Sequence, residues 1–162
     1  MMTTEEALDI ASELAENWVW STETARPETN RLDITLAQKE DLMPIVVGLR
    51  VKRLGHLSAI SGLDLGPERG ELELLYHFCA AAAVITLRLR IPRVNASVPS
   101  LCEIIPGAEA FERELSEMFG VTVEGLAYAD HLYLPDEWPE AQFPLRKDFD
   151  PDVVQSQIPV GT

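Results

Sequence analysis

The sequence predicts an α+β two-layer domain: a mainly antiparallel sheet of about four strands, helices packed on it, and an extended Pro-rich C-terminal arm. Three observations carry that expectation. Two adjacent runs, residues 71–79 and 84–91, alternate apolar and polar residues as half-buried strands do. Three other stretches repeat apolar residues every three or four positions, the spacing of amphipathic helices. After Tyr133 the prolines 135, 139, 144, 151 and 159 punctuate a segment that still carries large apolar side chains. A length of 162 residues suits one domain. A chain of that size buries roughly two-thirds of its unfolded surface without needing a disulfide or a metal.

In chain order, Thr4 reads as an N-cap with Glu5 and Glu6 in the first turn. Leu8, Ala11, Leu14, Ala15 and Trp18 then line one helical face, opposite Asp9, Glu13 and Glu16. Residues 21–29 are polar, contain Pro27 and read as a loop. Residues 30–36 alternate, with Leu32, Ile34 and Leu36 on one side. From Asp41 the helical period returns through Leu42, Ile45, Val46, Leu49 and Leu54; Pro44 is tolerable only in a first turn, and Gly55 ends the helix. Residues 56–65 read as a strand closed by Gly66-Pro67. The runs at 71–79 and 84–91 suggest an antiparallel pair, although Ala80–Ala83 offers no turn chemistry to fix the register. Pro106-Gly107 opens a third helix, 108–119, with Phe111, Leu115 and Phe119 on one face and Gly120 as its stop. Glu109–Arg113 and Arg113–Glu117 have the i, i+4 spacing of surface ion pairs.

The arm is the least ordinary segment. Proline forbids continued helix or ladder, yet Leu132, Leu134, Trp138, Phe143, Leu145 and Phe149 are too apolar for a disordered linker. Such a segment reads as an arm lying across a surface, either its own domain or a partner; composition does not separate the two.

The charge narrows the function. With 27 Asp and Glu against 13 Lys and Arg the net charge is −14, a field that repels phosphate backbones and anionic lipids. Nucleic acid is excluded as a partner on that ground. Cys79 and Cys102 are too far apart for a C-x-x-C motif and read as cytosolic-type thiols. The N-terminus lacks the basic and apolar regions of a signal peptide, and the longest uncharged run, 74–87, is too short to span a membrane. No phosphate-binding loop, dinucleotide fingerprint, metal-binding helix motif or nucleophile elbow is present. A carboxylate and imidazole set of Asp130, His131 and Glu112 is the one constellation that suggests general acid–base work. In so acidic a chain, a solvated face is the plainer account of it.

The segment from Pro106 to Val121, with its E-R-E-x-x-x-M-F-G-V core at Glu112-Arg113-Glu114 through Val121, resembles the signature of the C subunit of NADH:quinone oxidoreductase (respiratory complex I). Val123-Glu124-Gly125, then Tyr133-Leu134-Pro135-Asp136-Glu137-Trp138, then Pro144-Leu145-Arg146-Lys147-Asp148-Phe149 follow at that family's spacing. Leu57 to Ile60 with Asp64, and Tyr76-His77, fit its weaker patterns. The Leu-Pro-Asp-Glu-Trp-Pro-Glu wording is closer to the homologous subunit of membrane-bound, energy-converting nickel-iron hydrogenases.

The resemblance implies a core domain over residues 1–125 and an arm over residues 126–162 that docks on partner subunits. It implies a non-catalytic peripheral-arm subunit that holds no cofactor itself, on the cytoplasmic side of the cell membrane. Its partners would be the large catalytic-type subunit and the iron–sulfur subunits, whose clusters (and nickel-iron centre, in a hydrogenase) do the redox chemistry. Electron donor and acceptor would be read by those other subunits. Partner contacts fall on Glu112, Arg113 and Glu114 of the third helix, and on Trp138, Arg146, Lys147, Asp148 and Phe149 of the arm. This chain departs from the family at Leu126, Asp130 and His131, where a histidine and two arginines are usual, and at Phe143, where a histidine is. The partner surface near residues 126–131 is therefore expected to be more basic, to match Asp130. The readings that compete are a free-standing acid–base enzyme on Asp130, His131 and Glu112, and a non-redox adaptor using the same arm.

Overall fold

The computed structural model describes residues 2–18, 23–127 and 130–157. Helix α1 (Thr4–Trp18) begins on a capping box set one residue earlier than the sequence suggests. Thr3 Oγ1 accepts the Glu6 N–H at 3.2 Å, and the Glu6 carboxylate accepts the Thr3 N–H at 2.7 Å. Two orphan donors are thus satisfied reciprocally, which a lone Thr4 cap would not achieve. Helix α2 (Leu42–Val51) follows a single 3₁₀ turn over Lys39–Asp41, and Asp41 makes no side-chain cap bond. It ends before Leu54, because Arg53 turns left-handed at φ 55° and lets the Leu54 N–H return to the Leu49 carbonyl.

Five strands, β1 (Glu23–Ala25), β2 (Arg31–Leu36), β3 (His56–Asp64), β4 (Glu71–Ala80) and β5 (Ala83–Pro92), form one sheet in the order β1-β2-β5-β4-β3. The β3–β4, β4–β5 and β1–β2 pairs are antiparallel; β2 runs parallel to β5, with Leu32 opposite Ile85 and Ile34 opposite Leu87. The mainly antiparallel expectation holds, with five strands where the sequence pattern predicts about four. The fifth, β1, lies inside the stretch that reads as a loop, and all three of its residues are exposed. A three-residue exposed edge has no burial pattern to announce it.

The alternation in β4 and β5 decides which face is covered. Leu72, Leu74, Tyr76 and Phe78, with Ile85, Leu87 and Leu89, are 0–1% exposed. Helix α1 packs on β2 and β5, and also against α2, so those apolar rows become the interior of a two-layer domain. The opposite row, Glu73, Thr86, Arg88 and Asp33, carries the polar side chains. There His77 Nδ1 lies 3.1 Å from Thr86 Oγ1, so this histidine sits on the polar face and not in the apolar core.

Helix α3 (Glu109–Phe119) connects two short strands, β6 (Ser97–Pro99) and β7 (Thr122–Glu124), that pair directly with each other in parallel, and it packs on β3. Its fit to the sheet is close: a Cβ on Gly62 of β3 would stand 2.6 Å from the Phe119 ring. Gly120 closes the helix at φ 67°, its N–H bonding the Ser116 carbonyl at 2.8 Å. The two cysteines are free thiols. The arm is less uniformly extended than its prolines suggest, since α4 (Pro151–Gln157) starts on Pro151. Proline is tolerated at a first helical position, and Asp150 accepts the Asp152 N–H at 3.0 Å as its cap. Pro159 lies outside the described residues.

Candidate docking site on helix α3 and the arm

Residues 130–149 are fastened back onto the chain's own core at three places, two on α3 and one at the end of β3. At the first, the Glu117 carboxylate is buried and accepts the backbone N–H groups of Leu132 (2.8 Å) and Tyr133 (2.9 Å). His131 Nδ1 stands 3.4 Å from the same carboxylate. One turn back, Arg113 Nη2 donates to the carbonyls of Asp130 and His131, each at 3.1 Å. Arg113 keeps its i, i+4 approach to Glu109 at 3.8 Å. Glu117, by contrast, is not the surface partner of Arg113 that the spacing suggests: the arm claims its carboxylate instead.

At the second place the arm crosses the end of α3. The Phe143 ring lies so close over Gly120 that a Cβ there would stand 2.4 Å from it. The Leu145 N–H bonds the Met118 carbonyl at 3.1 Å, and Arg146 Nε donates to the Phe119 carbonyl at 2.7 Å. These carbonyls have no partner inside the helix, so the arm caps what helix geometry leaves open. Arg146 also sits 4.8 Å over the Phe143 ring, a cation–π distance. Burial, and then the neighbouring Arg93, lower its affinity for a proton from the ordinary arginine value.

The third place is the most buried. Asp64, at the end of β3, is 2% exposed and accepts from Arg93 Nε and Nη2 at 3.1–3.2 Å. It also accepts the Gly66 N–H at 2.9 Å and, from the arm, the Lys147 N–H at 2.8 Å. Arg93 reaches on to Asp148 of the arm. Burial pushes the Asp64 carboxyl up, but Arg93 and the two backbone N–H groups outweigh it and hold it below the usual carboxylate value. The arm also closes on itself: Trp138 stacks on Phe149 with ring centres 6.2 Å apart, and its Nε1 donates to the Gln142 carbonyl.

The residues singled out in the sequence therefore fall into three settings. Glu112 is interior, 2% exposed, accepting from Ser100 Oγ (2.6 Å), the Leu101 N–H (2.5 Å) and Cys102 Sγ (3.3 Å). It fixes the loop between β6 and α3. Arg113, Arg146, Lys147 and Asp148 join the arm to the core, while Trp138 and Phe149 hold the arm's own turn. Glu114 is half-buried in a shallow groove with Ile60, Leu115, Phe119 and Leu145.

The acid–base set is not assembled. Five positions apart on α3, Glu112 and Glu117 point to different sides of the helix; His131 meets Glu117, and Glu112 meets the 100–102 loop. Among the described residues no group of three or more His, Cys, Asp or Glu is placed to hold a metal ion. A cleft of about 240 Å³ lies between α3 and the arm, walled by Arg113, Glu117, His131, Trp138 and Phe143. Sequence reasoning missed Arg93 and the role of Glu117, and read Gly120 as the helix stop it is but not as the seat of the Phe143 ring. Asp64 carried a weak signal, an acid ending an apolar strand just before a Gly-Pro turn.

Comparison with known proteins places this architecture. Residues 35–154 match the family model described as respiratory-chain NADH dehydrogenase, 30 Kd subunit. The chain is 34% identical over 97 residues to the C subunit of the F(420)H(2) dehydrogenase of Methanosarcina mazei, covering 59% of this chain and 60% of that protein. It is 33% identical over 119 residues to formate hydrogenlyase subunit 5 of Escherichia coli, covering 71% of this chain and 21% of that one. The chain spans 46–60% of the length of the first three curated relatives it matches. Among solved structures, the membrane-bound sulfane sulfur reductase, an archaeal respiratory membrane complex, contains a chain that aligns with a TM-score of 0.72 at 25% identity. That alignment covers 94% of this chain and 92% of that one. The trypsin-resistant fragment of Nqo5 aligns at a TM-score of 0.60 and 20% identity, over 78% of this chain and 99% of the fragment, a likeness of fold.

Proposed function

We propose, from the premise that the chain belongs to the 30 Kd subunit family of respiratory-chain NADH dehydrogenase, that it is a cofactor-free peripheral subunit of a membrane-bound, ion-translocating oxidoreductase complex. The complex is an energy-converting nickel-iron hydrogenase or a complex I-like NADH or ferredoxin:quinone oxidoreductase. In it the chain scaffolds the large catalytic-type subunit and the iron–sulfur subunits, on the cytoplasmic side. The observation that carries this reading is the seating of the arm. Residues 143–148 plug the end of α3 and the Asp64–Arg93 pair, so core and arm present one continuous outer surface. Its outward residues include Tyr133 (65% exposed) and Leu145 (53% exposed). Exposed aromatic and aliphatic side chains between charges are what a protein partner covers.

Redox groups then belong to the partners, and the chain's contribution is shape and charge. The likeness to a chain of an archaeal respiratory membrane complex supports the assignment. No helix among the described residues is long and apolar enough to cross a membrane; in this reading the partner subunits provide the attachment. Glu114, Lys147 and the exposed parts of Trp138, Asp148 and Phe149 are the contacts open to a partner. Glu112 and Arg146 act one layer beneath, by fixing the surfaces above them.

The test is purification of a tagged chain from membranes of its native host under mild detergent. The expected result is co-elution of a large subunit and iron–sulfur subunits identified by mass spectrometry. Recovery solely as a free monomer from the soluble fraction would overturn the proposal.

A further inference from the structure

The cleft between α3 and the arm is small and lined by aromatic rings and acids. Its volume, about 240 Å³, is below the roughly 300–1,000 Å³ of pockets for drug-sized ligands and suits one long side chain. Trp138 and Phe143 supply aromatic walls and Leu126 an apolar one. The acids in the lining are Glu117, Asp130 and Glu140. Glu117 is spent on the arm's backbone and His131. Asp130 and Glu140 are exposed, and neither carboxylate has an ion pair among the described residues. Arg113, the arginine in the lining, gives Nη2 to two backbone carbonyls and turns Nη1 toward Glu109, outside the cleft. One wall is the turn 139–142, where Ala141 is held at φ 60°. A left-handed alanine is strained, so the turn is shaped against local preference.

The geometry points to this cleft as the seat of a lysine or arginine side chain projecting from a partner protein. The aliphatic stem lies along Leu126, the cation faces the Trp138 ring, and Asp130 and Glu140 at the rim complete its charge; the Phe143 ring, already faced by Arg146 and Gly120, only bounds the cleft. The Trp138 ring favours a cation by its quadrupole, and the two unpaired carboxylates select its sign over a neutral side chain. The inference rests on the complex-subunit reading above and specifies the chemistry of one contact within it.

The test uses the purified complex, with the chain tagged and its partners identified by mass spectrometry. Salt is raised stepwise, and the concentration at which the chain leaves the complex is read for wild type and for the double variant Asp130→Asn with Glu140→Gln. Both residues are exposed, so folding is unaffected; unchanged thermal midpoints of the isolated chains check this. The double variant is expected to leave at about half the wild-type salt concentration, as for a screened charge contact. A control pair on α1, Glu13→Gln with Glu16→Gln, stays at the wild-type value. An unchanged midpoint for the double variant, or an equal shift in the control, overturns the proposal. A dimer of the isolated chain abolished by the same two substitutions overturns it too, assigning the cleft to a second copy. If wild type co-purifies with no other subunit, the complex-subunit reading falls first and this inference with it.

Discussion

Asp64 and Arg93 form a buried, two-pronged ion pair, with Nε and Nη2 of the arginine 3.1–3.2 Å from the carboxylate oxygens, and the arm closes over it. The pair joins the end of β3 to the segment just after β5 and offers the Lys147 N–H its acceptor. Arm and sheet are therefore coupled through one carboxylate.

Replacing that carboxylate should loosen both. Asp64→Ala leaves the Arg93 guanidinium buried with only the exposed Asp148 as a charge partner, and removes the acceptor for two backbone N–H groups. Breaking a buried pair on one side costs about 3–5 kcal/mol. A lowered urea midpoint, with loss of amide-exchange protection at Lys147, is the expected result.

Acid should mimic the substitution. Because the folded carboxyl of Asp64 is held below its ordinary value of 3.8, the unfolded chain binds the proton first as pH falls. The contribution to stability is therefore complete above about pH 4 and is lost below it, as pH falls through the depressed folded value. Amide exchange of Lys147, followed between pH 5 and pH 3, should show that loss. In Asp64→Asn the step attributable to this site should be gone.

Glu112 makes a separate prediction, about the loop that presents α3. Glu112→Gln keeps the shape, but its amide has one acceptor oxygen for two close donors, Ser100 Oγ–H and the Leu101 N–H. One buried donor is then unsatisfied, at about 1–3 kcal/mol. Adding Ser100→Ala removes a competing donor but also the acceptor of the Cys102 N–H (3.1 Å), so the two losses should not add. Chemical denaturation of the two single variants and the double variant reads the coupling directly.

The uneven legibility of the sequence has a physical basis in these residues. Rows such as Leu72-Leu74-Tyr76-Phe78 declare their strand and its buried face because the side-chain period is two. The helical face of Phe111, Leu115 and Phe119 declares itself the same way at its own period. The short strands β1, β6 and β7 have three residues each, too few for a period to register. The parallel β2–β5 pairing joins residues some fifty positions apart, as in Ile34 opposite Leu87, which no local pattern encodes. The site divides likewise. Arg146, Lys147 and Asp148 are visible as a motif, but the burial of Glu112 and Glu117 is not, because a carboxylate reads the same exposed or enclosed.

The β4–β5 hairpin supplies a gain-of-stability prediction. Ala80 pairs with Ala83, and Ala81, the first residue of the two-residue loop, takes φ 53°. Such loops favour glycine where φ is positive. Ala81→Gly should therefore raise the melting temperature, by about 0.5–1 kcal/mol in stability once the added freedom of the unfolded chain is subtracted. Thermal denaturation of the single variant is sufficient to read it.

A double-mutant cycle on Gly120 and Phe143 asks whether the arm is seated on α3 in the isolated chain. Gly120→Ala carries two costs. Forcing a Cβ into the left-handed region at φ 67° is worth about 1–2 kcal/mol wherever the arm lies. The collision of that Cβ with the Phe143 ring, 2.4 Å away, arises only if the arm is docked. In a Phe143→Ala background the collision is gone and the backbone cost remains. The glycine substitution should then cost less by about 1 kcal/mol or more, within the range measured for residues in contact. Equal costs in both backgrounds would mean that the arm leaves α3 in the free chain and takes this position only when a partner holds it there.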